Sequence, residues 1–379
     1  MKEIISCLII LFIVVSCTSK KNYSVENING IKTIKNKNIV IDNNSNIQAK
    51  LIFSIKGNIE NCIDSSRIFF TIAGIDIDKN DNIFLLDVKT SNIKKFDKTG
   101  QFIKSFGRKG QGPGETIDPN SITILNDTVF ISNPGAQQVV KYDLDGNFIE
   151  SINLKSAAPQ FANKVGTSKF IGFLEDMEDK NGDLFLNYNL TILNSKFEPL
   201  SIINKKQFKI EKNMELNYLD LLIPYTISDS NIFVSANLDD KYKIDVYDLN
   251  YKQLYSVEKQ FVRLPFNKDE MKEFDNMMFR LNGSNGNQPK FSTQYKKPIN
   301  NLYFDKYGRL LIAVSQKRDN YNKNDLVFDI FKDGIFLNTI KFNICNGYDF
   351  MDIDNRLYFI KNKIYLVKTS ENIINVYDY

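Results

Sequence analysis

Histidine and tryptophan are absent from this chain, and cysteine is scarce, at four residues in 379. Without an imidazole there is no Ser/His/Asp relay, no general acid or base that titrates near neutral pH unperturbed, and none of the commonest transition-metal ligand. Most hydrolase chemistry is thereby disfavoured. The absence of tryptophan removes the best stacking surface for sugars and cations and leaves 18 tyrosines and 29 phenylalanines as the available platforms. An excess of charge of one sign is also missing. With 49 basic and 45 acidic residues the net charge is +4, too balanced for the clustered basic face of a nucleic-acid binder, so no nucleic-acid partner is expected. What remains is a globular profile, 42% hydrophobic and 25% charged, on a chain too long for one undivided core.

The longest apolar run lies at the start. Lys2 precedes an apolar stretch over residues 4–15, followed by Ser16 and Cys17. The run is too short to span a bilayer and has the order of a secretory signal, so residues 1–16 are expected to be a signal peptide. Val14-Val15-Ser16-Cys17 resembles a bacterial lipobox, which implies acylation of Cys17 and attachment to a membrane through the lipid. Thr18 in place of an aspartate implies, by resemblance to Gram-negative sorting, the outer membrane. The basic Ser19-Lys20-Lys21-Asn22 favours its periplasmic side over the surface. Residues 17–46, polar and rich in Asn and Lys, read as a lipidated, flexible tether. Cys7 leaves with the signal, so Cys62 and Cys345 remain. The compartment permits a bridge between them, although similar phases in neighbouring repeats would set them apart on the rim.

Internal repetition dominates residues 47–379. Residues 74–107 contain four short stretches rich in β-branched and aromatic side chains, separated by turn-forming Lys, Asn, Asp, Thr, Ser and Gly. Residues 121–154 repeat the plan, with Phe96-Asp97 answered by Tyr142-Asp143, a period of 142 − 96 = 46 residues. That spacing suits a four-stranded propeller blade. Further units lie near 168–204, 219–259 and 299–341. The last unit, 349–379, stops after a third strand, while an orphan strand at 49–57 precedes the first unit. Together they are expected to make one blade and close the ring. The fold class is therefore all-β: a six-bladed β-propeller of four-stranded antiparallel blades. One inserted helix is expected at 267–279, where Met271, Phe274, Met277 and Met278 recur at helical spacing behind early acids.

The first unit looks like an NHL-type repeat, and residues 47–379 resemble the six-bladed β-propeller lipoproteins of Gram-negative bacteria. The most specific element is Phe106-Gly107-Arg108-Lys109-Gly110-Gln111-Gly112-Pro113-Gly114-Glu115, which matches that family's glycine-rich loop between blades. The resemblance implies a role at the cell envelope and transfers no reaction. Pro113 and Pro119 exclude the helix that a phosphate loop needs. Asp76, Asp78, Asn80 and Asn82 alternate like calcium ligands but lack the Gly and Glu of a calcium loop, so they read as turn residues. The acidic stretch 175–183 reads as an exposed connection between strands. No metal, cofactor or catalytic residue is assigned.

Connections from second to third strand and from one blade to the next emerge on the same propeller face, where ligands usually bind. The expected contacts are Lys89, Asn92, Arg108, Lys109, Gln111, Glu115, Asn133 and Gln137, with cationic donors that suit an anionic or polyhydroxyl partner. A glycan or an envelope protein fits that description. The leading expectation is a non-catalytic binding or scaffold module; the alternative is a carbohydrate-active or other carboxylate-dependent enzyme.

Overall fold

The computed structural model describes residues 21–57, 65–155, 157–210, 221, 223–282, 294–317, 325–346 and 355–379. Cys17 and Cys62 lie outside them. Six sheets, each built on four antiparallel blade strands, are arranged in a ring around their innermost strands. Blade 1 comprises strands Ile72–Ile77, Ile83–Asp87, Asn92–Phe96 and Phe102–Phe106. Blade 2 comprises Ser121–Leu125, Thr128–Asn133, Gln138–Asp143 and Phe148–Asn153. Blade 3 has Gln160–Val165, Lys169–Lys180, Asp183–Leu193 and Pro199–Lys209. Blade 4 has Tyr225–Ile227, Asn231–Ser235, Lys243–Asp248 and Gln253–Lys259, and blade 5 has Ile299–Phe304, Leu310–Val314, Asp325–Lys332 and Ile335–Asn346. In blade 6, Asn355–Ile360, Lys363–Lys368 and Ile373–Asp378 are completed by Lys50–Lys56, which pairs antiparallel with Ile373–Asp378. The expected closure of the ring by its first and last strands is observed.

Each blade is a thin sheet that cannot bury its own faces, so the hydrophobic clusters lie between blades. Phe84, Leu86 and Ile93 of blade 1 pack on Ile122, Ile131 and Tyr142 of blade 2. Equivalent clusters join every other neighbouring pair, including blade 6 to blade 1 through Val367, Ile374, Ile55 and Leu85. This explains why a second strand such as Ile83-Phe84-Leu85-Leu86 is apolar without alternation: both of its faces meet a neighbour and all four residues are buried.

Two boundaries differ from those read in the sequence. The inner strand of blade 3 starts at Gln160, before the expected unit at 168. Adding the 46-residue period to Ser121 points to 167, but the link from blade 2 to blade 3 covers only 154–159, against 107–120 between blades 1 and 2. The second difference lies within 17–46. Strands Tyr23–Ile28 and Ile31–Asn36 form a hairpin there, and Ile31–Asn36 pairs in parallel with the outer strand Gln253–Lys259 of blade 4. A polar, Asn- and Lys-rich composition is compatible with a strand on the rim, where one face stays wet. Of its apolar residues Ile34 alone is buried, against the turn at Gly334.

From this hairpin the chain crosses blade 5 as a strap. Asn36, nearly fully buried, donates through Nδ2 to the carbonyls of Glu258 (3.2 Å) and Gly334 (2.9 Å), and its Oδ1 accepts the Phe336 N–H (2.9 Å). The N–H groups of Ile41 and Asp42 donate to the Leu337 carbonyl, and Arg309 donates to that of Asn46. Ile47 then enters the cluster between blades 5 and 6. The expected helix spans Lys268–Asn282, with the acids Asp269 and Glu270 in its first turn. Among the described residues no helix is long and apolar enough to cross a membrane.

Candidate functional site

The two faces of the ring are built differently. On one face, where first strands pass to second and third to fourth, the turns are short and closed by a carboxylate or amide. Asp78, Asp97, Asp143, Asn194, Asp248 and Asp305 each accept the backbone N–H groups two and four residues ahead through a single Oδ1. Asp78 thus has the turn role expected for it, whereas Asp76 faces inward. Its Oδ2 accepts the Ile124 N–H (2.7 Å) and Lys164 Nζ (3.0 Å), so a charge pair joins the inner strands of blades 1 and 3 across that of blade 2.

At the other face one blade hands over to the next, the described connection 107–120 among these links, and the tall hairpin of Lys169–Lys180 with Asp183–Leu193 stands there. At the end of second strands a buried polar side chain pins the incoming connection. Asp87 accepts N–H groups from Phe70, Thr71 and Lys89 and the Thr90 hydroxyl. In blade 2 the same position is Asn133, whose Oδ1 accepts the N–H groups of Ile117 and Asp118, both at 3.1 Å. Asn133 is fully buried, so of the expected contact residues this one holds a loop in place and is closed to a ligand.

The glycine-rich segment after blade 1 is closed on itself. Arg108 Nε donates to Glu115 Oε1 (2.5 Å), and Glu115 Oε2 accepts the Gly112 N–H (2.9 Å), which with the guanidinium holds the Glu115 carboxyl below its ordinary pKa. The Tyr142 hydroxyl donates to the Gly114 carbonyl (2.6 Å). Gly114 adopts φ +70, and a Cβ there would press on the Phe148 ring at 3.2 Å, so glycine is required twice over. This segment adjoins the turn of blade 1 beside Ser91 and, through Asp118 against Gly135, that of blade 2. The expected contact segments therefore form one continuous rim. Lys89, Arg108, Lys109, Gln111 and Gln137 are exposed on it, Asn92 is half-buried and accepts the Thr90 hydroxyl, and Lys89 lies 4.3 Å from the exposed Phe70 ring.

A second group of residues went unread in the sequence because the inner strand of blade 3 was misplaced. Phe161, 40% exposed, lies near the start of the innermost strand of blade 3, in the left-handed region (φ 51), which is unusual and unfavourable for a bulky residue. Its carbonyl accepts the Tyr225 hydroxyl (2.8 Å) and Asn163 Nδ2 (3.1 Å), which hold it there. Beside it Gln160 donates to Glu175 Oε2 (3.0 Å) on the tall hairpin, and Tyr188 stacks on Phe173 at 4.9 Å. Burial pushes the hydroxyls of Tyr188 and Tyr225 well above the usual phenol range, so both stay neutral donors. An exposed ring flanked by amides and one carboxylate is the composition of a polyhydroxyl or peptide contact. Among the described residues no group of three metal-ligating side chains converges.

Residues 65–320 match the profile of a family described as a domain of unknown function, DUF4934. No curated protein matches the chain. Among solved structures, a Bacteroides fragilis protein described as exported is 14% identical, with 91% of this chain and 98% of that chain covered and a TM-score of 0.49. Virginiamycin B lyase from Staphylococcus aureus is 11% identical, with 88% and 100% covered and a TM-score of 0.45.

Proposed function

Because the chain belongs to the DUF4934 family, a domain of unknown function covering its residues 65–320, we propose a function from the sequence and the geometry: a non-catalytic binding module of the cell envelope, exported and acylated at Cys17, that takes a glycan or envelope partner on its loop-bearing face. The contact is centred on Phe161. Gln160, Asn163 and Glu175 supply polar groups, and the rim residues Lys89, Lys109 and Gln111 supply charge and reach. The observation that carries this reading is the left-handed Phe161. Such a conformation costs on the order of 1–3 kcal/mol and persists where the surroundings impose it; Phe197, with the same backbone, is buried in the core, whereas Phe161 leaves its ring exposed. Loops on a rigid ring are where recognition concentrates.

The test is Phe161→Gly. Glycine accepts the same φ without strain, so the variant should fold at least as stably as the parent while losing affinity for envelope polysaccharides or proteins captured by the parent. Equal affinity of parent and variant, measured by calorimetry with the captured partner, would refute a contact at this residue. Cys17→Ser should separately release the protein from the membrane fraction or block its maturation.

A further inference from the structure

The hairpin and strap change what acylation at Cys17 would mean. A flexible segment to residue 46 would leave the propeller free to drift tens of ångströms from the bilayer, at roughly 5–6 Å × √n for n residues. Asn22 is instead fixed to the fold: it is nearly buried and donates through Nδ2 to the carbonyls of Ile39 (3.4 Å) and Phe336 (3.5 Å), while its own carbonyl accepts the Lys37 N–H (2.8 Å). Between Cys17 and Asn22 there are 22 − 17 = 5 residue steps, which span about 18 Å when fully extended. The rim at blades 4 and 5 therefore cannot leave the lipid headgroups by more than that reach.

That part of the rim carries three consecutive apolar side chains. Ile39, Val40 and Ile41 are consecutive and exposed by 53%, 42% and 51%. They are held outward because their backbone, not their side chains, is engaged: the Ile39 carbonyl by Asn22 and the Ile41 N–H by Leu337. The exposed Lys21, next to the Asn22 that bonds the Ile39 carbonyl, and the exposed Lys37 border the run. A short apolar run bordered by lysines, tied to an acylated residue, has the composition of a segment lying in a bilayer interface.

We propose that Ile39, Val40 and Ile41 dock into the bilayer that holds the Cys17 acyl chains, so that the outer edge of blade 5 is held against the membrane. This rests on the lipoprotein reading above. The strap is fixed to blade 5 at Gly334 and Arg309, in turns of the short-turn face, so docking there leaves the opposite face, which bears Phe161, clear of the lipid.

The natural absence of tryptophan makes the test direct. Val40→Trp and Ile41→Trp in the full chain, purified from membranes and reconstituted into phosphatidylethanolamine/phosphatidylglycerol vesicles containing brominated lipid, report contact with acyl chains. Ile103→Trp and Ile149→Trp, at exposed positions on the outer strands of blades 1 and 2 across the ring, are the controls. Mass spectrometry reads acylation of Cys17 in the same preparations. The expected result is acylated protein in which the emission of Val40→Trp and Ile41→Trp shifts to the blue and loses intensity to bromine, while both controls are unchanged. Acylated, vesicle-bound protein whose four reporters are quenched alike, or not at all, overturns the docking and leaves the lipoprotein reading standing. A blue shift without bromine quenching, growing with protein concentration, assigns the run to a second copy and likewise overturns it. Cys17 without acyl chains removes both readings together.

Discussion

Asp329 sets the stability of the seam between blades 4 and 5. It is almost fully buried, and its Oδ2 accepts Lys259 Nζ (2.8 Å) and the Tyr242 hydroxyl (2.9 Å), while Oδ1 accepts the Thr339 hydroxyl (2.6 Å). Lys259 is equally enclosed, with its ammonium 4.2 Å from the Phe336 ring. Asp329→Ala leaves a buried ammonium and two hydroxyls without their acceptor, which should cost about 3–5 kcal/mol, the usual penalty for breaking a buried pair by removing one partner. Asp329→Asn keeps acceptor capacity and loses only the charge, so it should fall between parent and alanine variant. Lys259→Met combined with Asp329→Leu removes both charges at similar volume and should recover most of the loss. Urea unfolding followed by circular dichroism gives each value, with the slope checked for constancy. A cost below about 1 kcal/mol for Asp329→Ala, or a double variant no more stable than the single, would refute the view that this seam depends on charge compensation.

Two further outcomes follow from the same geometry. Asn36→Ala withdraws three hydrogen bonds that fix the strap to blades 4 and 5, so it should cost about 2–3 kcal/mol at roughly 1 kcal/mol per net bond and should speed amide exchange in residues 23–36 before the blades themselves. Burial and the Glu115 charge raise the Tyr142 hydroxyl from 10.0 to about 12. The unfolded chain therefore loses this proton first, and the associated stability is complete below pH 10 and disappears as pH rises toward 12. Tyr142→Phe should flatten that alkaline decline in a melting-temperature profile, at a neutral-pH cost of about 1 kcal/mol for the lost bond to Gly114.

Most of the ring was legible in the sequence because its blades repeat a local plan: β-branched stretches between Asp- or Asn-led turns. Asp97 and Asp143 mark the same turn in blades 1 and 2, and both close it by the same two backbone bonds. The echo between 89–97 and 368–378 made the shared closing blade readable as well. The period failed where connections vary in length, which misplaced the strand Gln160–Val165 and hid Phe161. The hairpin at Tyr23–Asn36 escaped for a different reason. Its strands are stabilised by distant partners, Gln253–Lys259 and Gly334, that no local pattern announces. Asn133 shows the limit for site residues: its position in a face-forming turn was legible, whereas its burial beneath residues 117–118 depends on how the connection folds back.

The strap also decides where tension would go. A pull on the chain at Asn22 meets its bonds to Ile39, Phe336 and Lys37 and the Tyr23–Ile28 edge first, then the parallel pairing of Ile31–Asn36, then the Leu337 and Arg309 contacts, and only after these the strand Lys50–Lys56 that completes the ring. Load is thus absorbed by a peripheral hairpin that can yield and re-form like a mechanical fuse, while the joint that keeps the circle shut stays unloaded.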